Sequence, residues 1–314
     1  MNKPLTFLLS LTFLFLFSGS VYGQEKFKRE YWDNGRLKSE IHYNNGVKHG
    51  LETTWYRNGQ KEKEVIFNNG LEDGIYTGWY ADGIKSEERP YKDGKINGLW
   101  KSWYGNGNVL SEINFKKDVK DGIAIQWAKD GWKEYEKIFK DGKKDGMQTE
   151  WYENGNKKIT KHYRNGKPDG IQTTFYKNGH KKQEGIVKGA VTYVFNYWYE
   201  DGRKQLERNY TDGKLDGVVI WWYPDGKKIS KSHYKNGKRD GLSTHWYENG
   251  KKEHIKHYKN DVLDGMVTEW YSSGKKKSTS HYKEGKENGF RKEWDEDGKL
   301  TFQGNFVDGV EEIK

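Results

Sequence analysis

A glycine returns every 24 residues along almost the whole of this chain, and that spacing limits the fold more than any other feature. It stands at Gly35, Gly59, Gly83, Gly107, Gly131, Gly155, Gly179, Gly202, Gly226, Gly250, Gly274 and Gly298, with one interval of 23 residues, from Gly179 to Gly202. A unit reads W-Y-x-N-G-K-K-x-x-E-x-x-Y-x-N-G-K-x-D-G-φ-x-T-x, φ being apolar, and Trp151–Thr174 is a representative copy. Two further glycines recur in most units, as at Gly166 and Gly170, and Asp118 and Asp261 replace the second one in two units. Asn-Gly and Asp-Gly mark turns that need positive φ. The runs between them are about seven residues long, the ordinary length of a strand, and leave no room for helices. The expected fold is all-β, a repetitive antiparallel β-meander of about 24 strands. Residues 24–314 form one repeat domain of twelve units, the short one irregular at 187–199.

Side-chain alternation predicts the faces. Eight residues before the recurring Gly the chain is apolar (Leu51, Ile75, Ile123, Met147), and four before it aromatic (Trp55, Trp79, Trp127, Trp151). Alternate residues share a face, so this reads as a buried stripe, with Tyr56 and its equivalents opposite. Eight residues after the Gly stands a further ring, such as Phe67 or Tyr163. A two-residue turn would set frequent glutamates such as Glu64 against the Trp stripe, where unpaired burial is costly. The reading is therefore a three-residue x-Asn-Gly turn with a bulge, which puts the second ring on the Trp face.

Hydrophobic residues make up only 32% of the chain and aromatics 16%, too little aliphatic volume for a two-layer globule. Disordered chains are poor in aromatics, whereas this one has 14 Trp and 22 Tyr, so a thin ordered sheet fits. There is no Cys, which removes disulfides, thiolate catalysis and Cys-held metals. Residues 1–23 have the layout of a secretory signal peptide: Lys3, the apolar run Leu5–Phe17, then small residues before Gln24. The expectation is export, to a periplasmic, cell-surface or extracellular place. The net charge of +10 favours acidic partners: a protein, or an anionic glycan or lipid surface. Nucleic acid is not expected, because no recognition motif accompanies the charge.

The unit resembles the bacterial variant of the MORN (membrane occupation and recognition nexus) repeat, whose aromatic-Tyr-x-Asn-Gly and Tyr-x-Asn-Gly-Lys-x-Asp-Gly stretches are matched almost in full by Trp151–Gly170 and Trp246–Gly265. Bacterial members commonly carry the label YwqK-type antitoxin. The resemblance implies a scaffold or binding module with protein or lipid partners, and brings no catalytic residues.

No catalytic, cofactor or metal site emerges, and no small-molecule substrate is evident. His42, His162, His233, His257 and His281 share one repeat position, which marks them as structural or solvent-facing. Asp-Gly pairs such as Asp141-Gly142 lack calcium-loop spacing. Phosphate-loop and nucleophile-elbow contexts are missing. Two features remain as binding candidates. The first is the ladder Tyr56, Tyr80, Tyr104, Tyr152, Tyr176, Tyr199, Tyr223, Tyr247 and Tyr271 with its surrounding Lys, against which stands plain cross-strand packing. The second is the irregular unit, enriched by Tyr193, Phe195 and Tyr197, read first as a bend and second as a partner site. The functional expectation is an exported, non-enzymatic binding scaffold; the alternatives are a toxin-neutralising or immunity-type protein and a peripheral binder of anionic lipid. The oligomeric state is left open.

Overall fold

The computed structural model describes residues 25–188 and 191–312, with side chains for 26–187 and 196–312. The leader expected at 1–23 lies outside the described residues. Among the described residues, thirty-one strands, β1–β31 in chain order, follow one another without a helix. Twenty-nine of them form one open antiparallel sheet, and β19 (Tyr210–Thr211) and β20 (Lys214–Leu215) form a separate ribbon. The number exceeds 24 because several expected runs are divided, as Asp73 divides β5 (Leu71–Glu72) from β6 (Gly74–Trp79).

β3 (Val47–Trp55) and β4 (Lys61–Asn68) show how a unit is built. The Tyr56 amide donates to Gln60 O (2.8 Å) and the Gly59 amide to Tyr56 O (2.8 Å). Arg57, Asn58 and Gly59 are thus a three-residue loop, with Gly59 at φ 90° closing it where a Cβ would be strained. This is the expected turn. A second irregularity follows at once: Trp55 pairs with Lys61, but Thr54 pairs with Lys63, leaving Glu62 as an extra bulged residue. One extra residue reverses the face of everything beyond it. Phe67 therefore pairs with Gly50 and shares the face of Tyr56, not that of Trp55, and the expected placement of the second ring on the Trp face is corrected. Glu64 lies on the Trp face after all, opposite Thr53. It escapes the expected burial cost because Lys61 pairs with it and both remain partly exposed.

The second turn is tighter. Asn45 and Gly46, both at positive φ, connect Asn44 to Val47. Asp118 (φ 68°) and Asp261 (φ 70°) hold the same conformation where Gly is replaced. Beyond it Tyr43 pairs with Lys48 and Ile41 with Glu52, so three residues, including Gly50, stand against His42. This wide bulge preserves the faces.

The sheet thus has an indole face and a phenol face, and burial divides them unexpectedly. Most of the apolar residues eight before the recurring Gly are exposed, Leu51 by 41%, Ile171 by 55% and Phe290 by 67%, and none of those described is buried. The expectation that they form a buried stripe is overturned. A single-layer sheet has no second layer to cover them, and only the shoulder of the adjacent strand shelters each. The most enclosed hydrophobic residues, Val65, Ala124, Leu206, Val219 and Val267, lie mid-strand on the phenol face, while the indole face buries the small polar Thr53 and Thr173.

Candidate binding surface

Eight of the nine phenols of the expected ladder reach into the next unit. Tyr56 Oη donates to Trp79 O (2.7 Å), Tyr80 to Trp103 O (2.7 Å), Tyr104 to Trp127 O (2.9 Å) and Tyr152 to Phe175 O (2.9 Å). Tyr176, Tyr199, Tyr247 and Tyr271 do the same for Trp198, Trp222, Trp270 and Trp294. Trp32 fills the position in the first unit, its indole N–H donating to Trp55 O (3.0 Å). Each bond satisfies a carbonyl at the turn, where the strand ladder ends. Tyr223 holds the same turn position through its backbone. Burial pushes the Tyr56, Tyr104, Tyr176 and Tyr199 phenols up. Lys158, Lys182 and Lys277, at the bulge position, sit over the rings of Tyr152, Tyr176 and Tyr271. The ladder is therefore a spine joining units, with its ring faces turned to cations.

A second ladder runs through the turns. Asn58 Nδ2 donates to Ala81 O (2.6 Å) while its Oδ1 accepts from the Gln60 amide (3.0 Å). Asn154 repeats both bonds with Lys177 and Asn156. Asp at this position accepts but cannot donate, as at Asp82, which accepts only from the Ile84 amide. On the indole face, Lys61 lies over Trp79 of the next unit and pairs with Glu64. Lys133 treats Trp151 and Glu136 likewise.

The phenol face holds a further row that sequence reasoning misplaced. With the register corrected, the second rings and the lysines beside them share this face: Lys48 over Phe67 (4.7 Å), Lys120 over Phe139 (5.5 Å), Lys144 over Tyr163 (5.1 Å), Arg239 over Tyr258 (4.1 Å). These cations stand one residue beyond the recurring Lys position of the second turn, where other units carry Glu72, Pro168 or Leu215. Glu52, 4% exposed, pairs with Lys48 and with Lys63 (2.9 Å). Burial pushes its carboxyl up, but the two ammonium partners outweigh that and hold it below the usual range. Arg89 lies over Tyr76 (4.1 Å), Trp100 (5.4 Å) and Tyr91 (5.8 Å).

At the irregular unit, Tyr193 and Phe195 fall outside the described side chains. Tyr197 lines a depression of about 310 Å³ with Leu206, Arg208 and Trp221, and the Arg208 guanidinium lies over its ring (5.4 Å). The hairpin is thin here: β17 (Val191–Trp198) meets β18 (Lys204–Glu207) at two residue pairs, where β3 and β4 keep six; β18 meets β21 (Gly217–Trp222) at two, as β4 meets β6.

A single-layer antiparallel sheet of repeating hairpins, tied by ladders running from unit to unit, defines the class: a linear repeat protein. The chain belongs to the MORN repeat variant family, which matches residues 18–45, 48–69, 72–93, 96–117, 144–165, 168–188, 215–236, 239–260, 263–284 and 288–308. The comparison with curated proteins gives no match. Among solved structures, the chain is similar to one titled "Crystal Structure of TcdB2-TccC3", at 11% identity and a TM-score of 0.19, covering 90% of this chain and 18% of that one. A second, "Crystal Structure of TcdB2-TccC3-Cdc42", matches at 12% identity and a TM-score of 0.19, over 90% and 17% of the two chains. The chain thus spans less than a fifth of these structures.

Proposed function

We propose that this protein is a non-catalytic binding scaffold that is exported and engages a protein partner along its phenol face. One observation carries the reading. The turn and ladder positions repeat through the units, yet the mid-strand positions of the phenol face change freely. Glu52, Tyr76, Trp100, Ala124 and Gln148 occupy one such position, and Val65, Arg89, Ile113, Lys137 and Lys161 another. Residues that vary while the frame stays fixed are free to serve recognition, and extended repeat surfaces are used that way. The toxin-neutralising and lipid-binding readings are special cases that differ in the partner. Export rests on the leader-like residues 1–23.

Photo-crosslinking with the full chain tests the face. A photoreactive residue at Arg89, on the phenol face, should capture the partner in cells, whereas one at Ile66, on the indole face, should not. Capture only from Ile66, or from neither site, contradicts the reading. Co-sedimentation with anionic vesicles but capture of no protein would favour the lipid reading instead.

A further inference from the structure

Ion pairs are common on this sheet, but one stretch of the phenol face has cations without them. In β11 (Val119–Trp127), β12 (Lys133–Lys140), β13 (Lys143–Trp151) and β14 (Lys157–Arg164), the lysines Lys120, Lys137, Lys144 and Lys161 share this face. Lys137 pairs across the ladder with Ala124 on one side and Gln148 on the other, and Gln148 in turn with Lys161. Among the described residues none of the four lysines forms an ion pair. Their equivalents toward the N-terminus do: Lys48 pairs with Glu52 and Arg89 with Glu87 (3.2 Å). Toward the C-terminus Arg291 pairs with Glu287 (3.3 Å). Lys137 is partly buried, its ammonium 3.6 Å from the centre of the Tyr135 ring. Burial, and then the charge of Lys144, pull that ammonium below the usual lysine range; Glu150 opposes them and Lys120 adds the least. Such a group gains from any anion that approaches it.

Spacing selects the ligand's shape. Equivalent residues of successive units are two strands apart, about 9.6 Å. An extended strand presents side chains on one side every ~6.6 Å and drifts out of step. A polyproline II chain repeats every third residue, about 9.3 Å, and keeps step. Phe115, Phe139 and Tyr163 recur at the same interval beside the lysines, and aromatic-lined surfaces suit this peptide conformation. A slim chain also reaches a sunken ammonium that a flat lipid surface does not.

We propose that the stretch of the phenol face carrying Lys120, Lys137, Lys144 and Lys161 is a docking site for an extended acidic, proline-rich peptide with a carboxylate at every third residue. This rests on the phenol face being the recognition surface and names the partner's chemistry.

The test is fluorescence anisotropy of the full chain with a labelled peptide of about four Pro-Pro-Glu repeats, long enough to span about four units. Binding should weaken with salt, and by about tenfold or more in the Lys120→Gln/Lys137→Gln/Lys144→Gln variant. The corresponding triple Arg variant should keep it. If the triple Gln variant fails to fold, Gln148→Glu, set between Lys137 and Lys161, should weaken binding similarly. Four results overturn the proposal: unchanged binding by the Gln variants, equal binding of a Pro-Pro-Gln peptide, equal binding of a peptide with Glu at alternate residues, or preference for polygalacturonate or phosphatidylglycerol vesicles. If the peptide fails while the Arg89 position still crosslinks a partner, only this site assignment falls. If both fail, the scaffold reading falls with it.

Discussion

The unit around β13 and the stretch from Val187 to Trp222 are built from the same kinds of residue, yet one is a full ladder and the other barely holds. β13 and β14 exchange six pairs, from Gly146–Tyr163 to Trp151–Lys157, whereas the equivalent hairpin of β17 and β18 keeps only two. Loss of one residue and of the Asp-Gly pair leaves less chain for the wide bulge: Ile186 pairs with Val194 and Val187 with Thr192. One side chain then takes over from backbone, Asn196 Oδ1 accepting the Arg208 amide (3.1 Å), while Asn209 Nδ2 keeps to Val218 O (3.2 Å) the bond that Asn114 makes to Ile123 O in a regular unit. The turn and ladder positions make a unit cohere, and the sheet crosses a defect with fewer ladder pairs and one amide side chain, Asn196, standing in.

The sharpest way to strain that contrast is Leu206→Ala. Leu206 is 3% exposed inside the thin stretch, so its loss should cost about 2–4 kcal/mol. Urea unfolding should change from one transition to two, because units on either side separate. A single cooperative transition would mean the stretch is no weaker than the rest.

Glu52→Gln probes an ordinary unit and should cost about 2 kcal/mol, since two lysines lose a charged partner. Its carboxyl is held below its ordinary value of 4.5 in the folded state, so the contribution is full above that pH and disappears as pH falls through the lower folded value. The difference between the variant and the natural chain in urea midpoint should therefore be largest at neutral pH and shrink in acid.

Tyr104→Phe should cost about 1 kcal/mol by orphaning the Trp127 carbonyl. Ala128 stands where other units have the phenol, and Ala128→Tyr should recover part of that amount by reaching Trp151. Thermal melts of the two variants should move in opposite directions.

The smallest effect belongs to His254. Burial pulls its imidazole below its ordinary 6.5, with Lys256 and His245 adding to the shift. It stacks on His245 at 5.2 Å. The unfolded chain takes up this proton first, so stability should fall slightly as pH drops below 6.5, and His254→Phe should remove that slope in urea titrations.

Much of this was legible in the sequence. Gly59 and Asn45-Gly46 announce their turns, and the 24-residue interval announces the repeat. The faces were not, because Glu62 is an unpaired bulge residue that no alternation rule counts, and one such residue carries Phe67 to the other side. The exposure of Leu51 and Ile171 was missed for a related reason: an apolar period shows which residues share a face but not whether a second layer covers it. The phenol ladder was visible as Tyr56 and its equivalents, but their bonds to carbonyls one unit away depend on distances that sequence does not carry. The unpaired lysines became a group only after the register was known.

Hydrogen exchange read by mass spectrometry on the full chain tests the central claim most directly, that the chain is one continuous ladder whose weakest hairpin is that of β17 and β18. Amides of β11 to β15 (Lys167–Phe175) should be protected in every strand, with protection falling at 204–217 and recovering in β22 (Lys228–Lys235) and β23 (Lys238–Trp246). Protection confined to separate blocks with unprotected units between them, or no dip at 204–217, would contradict it.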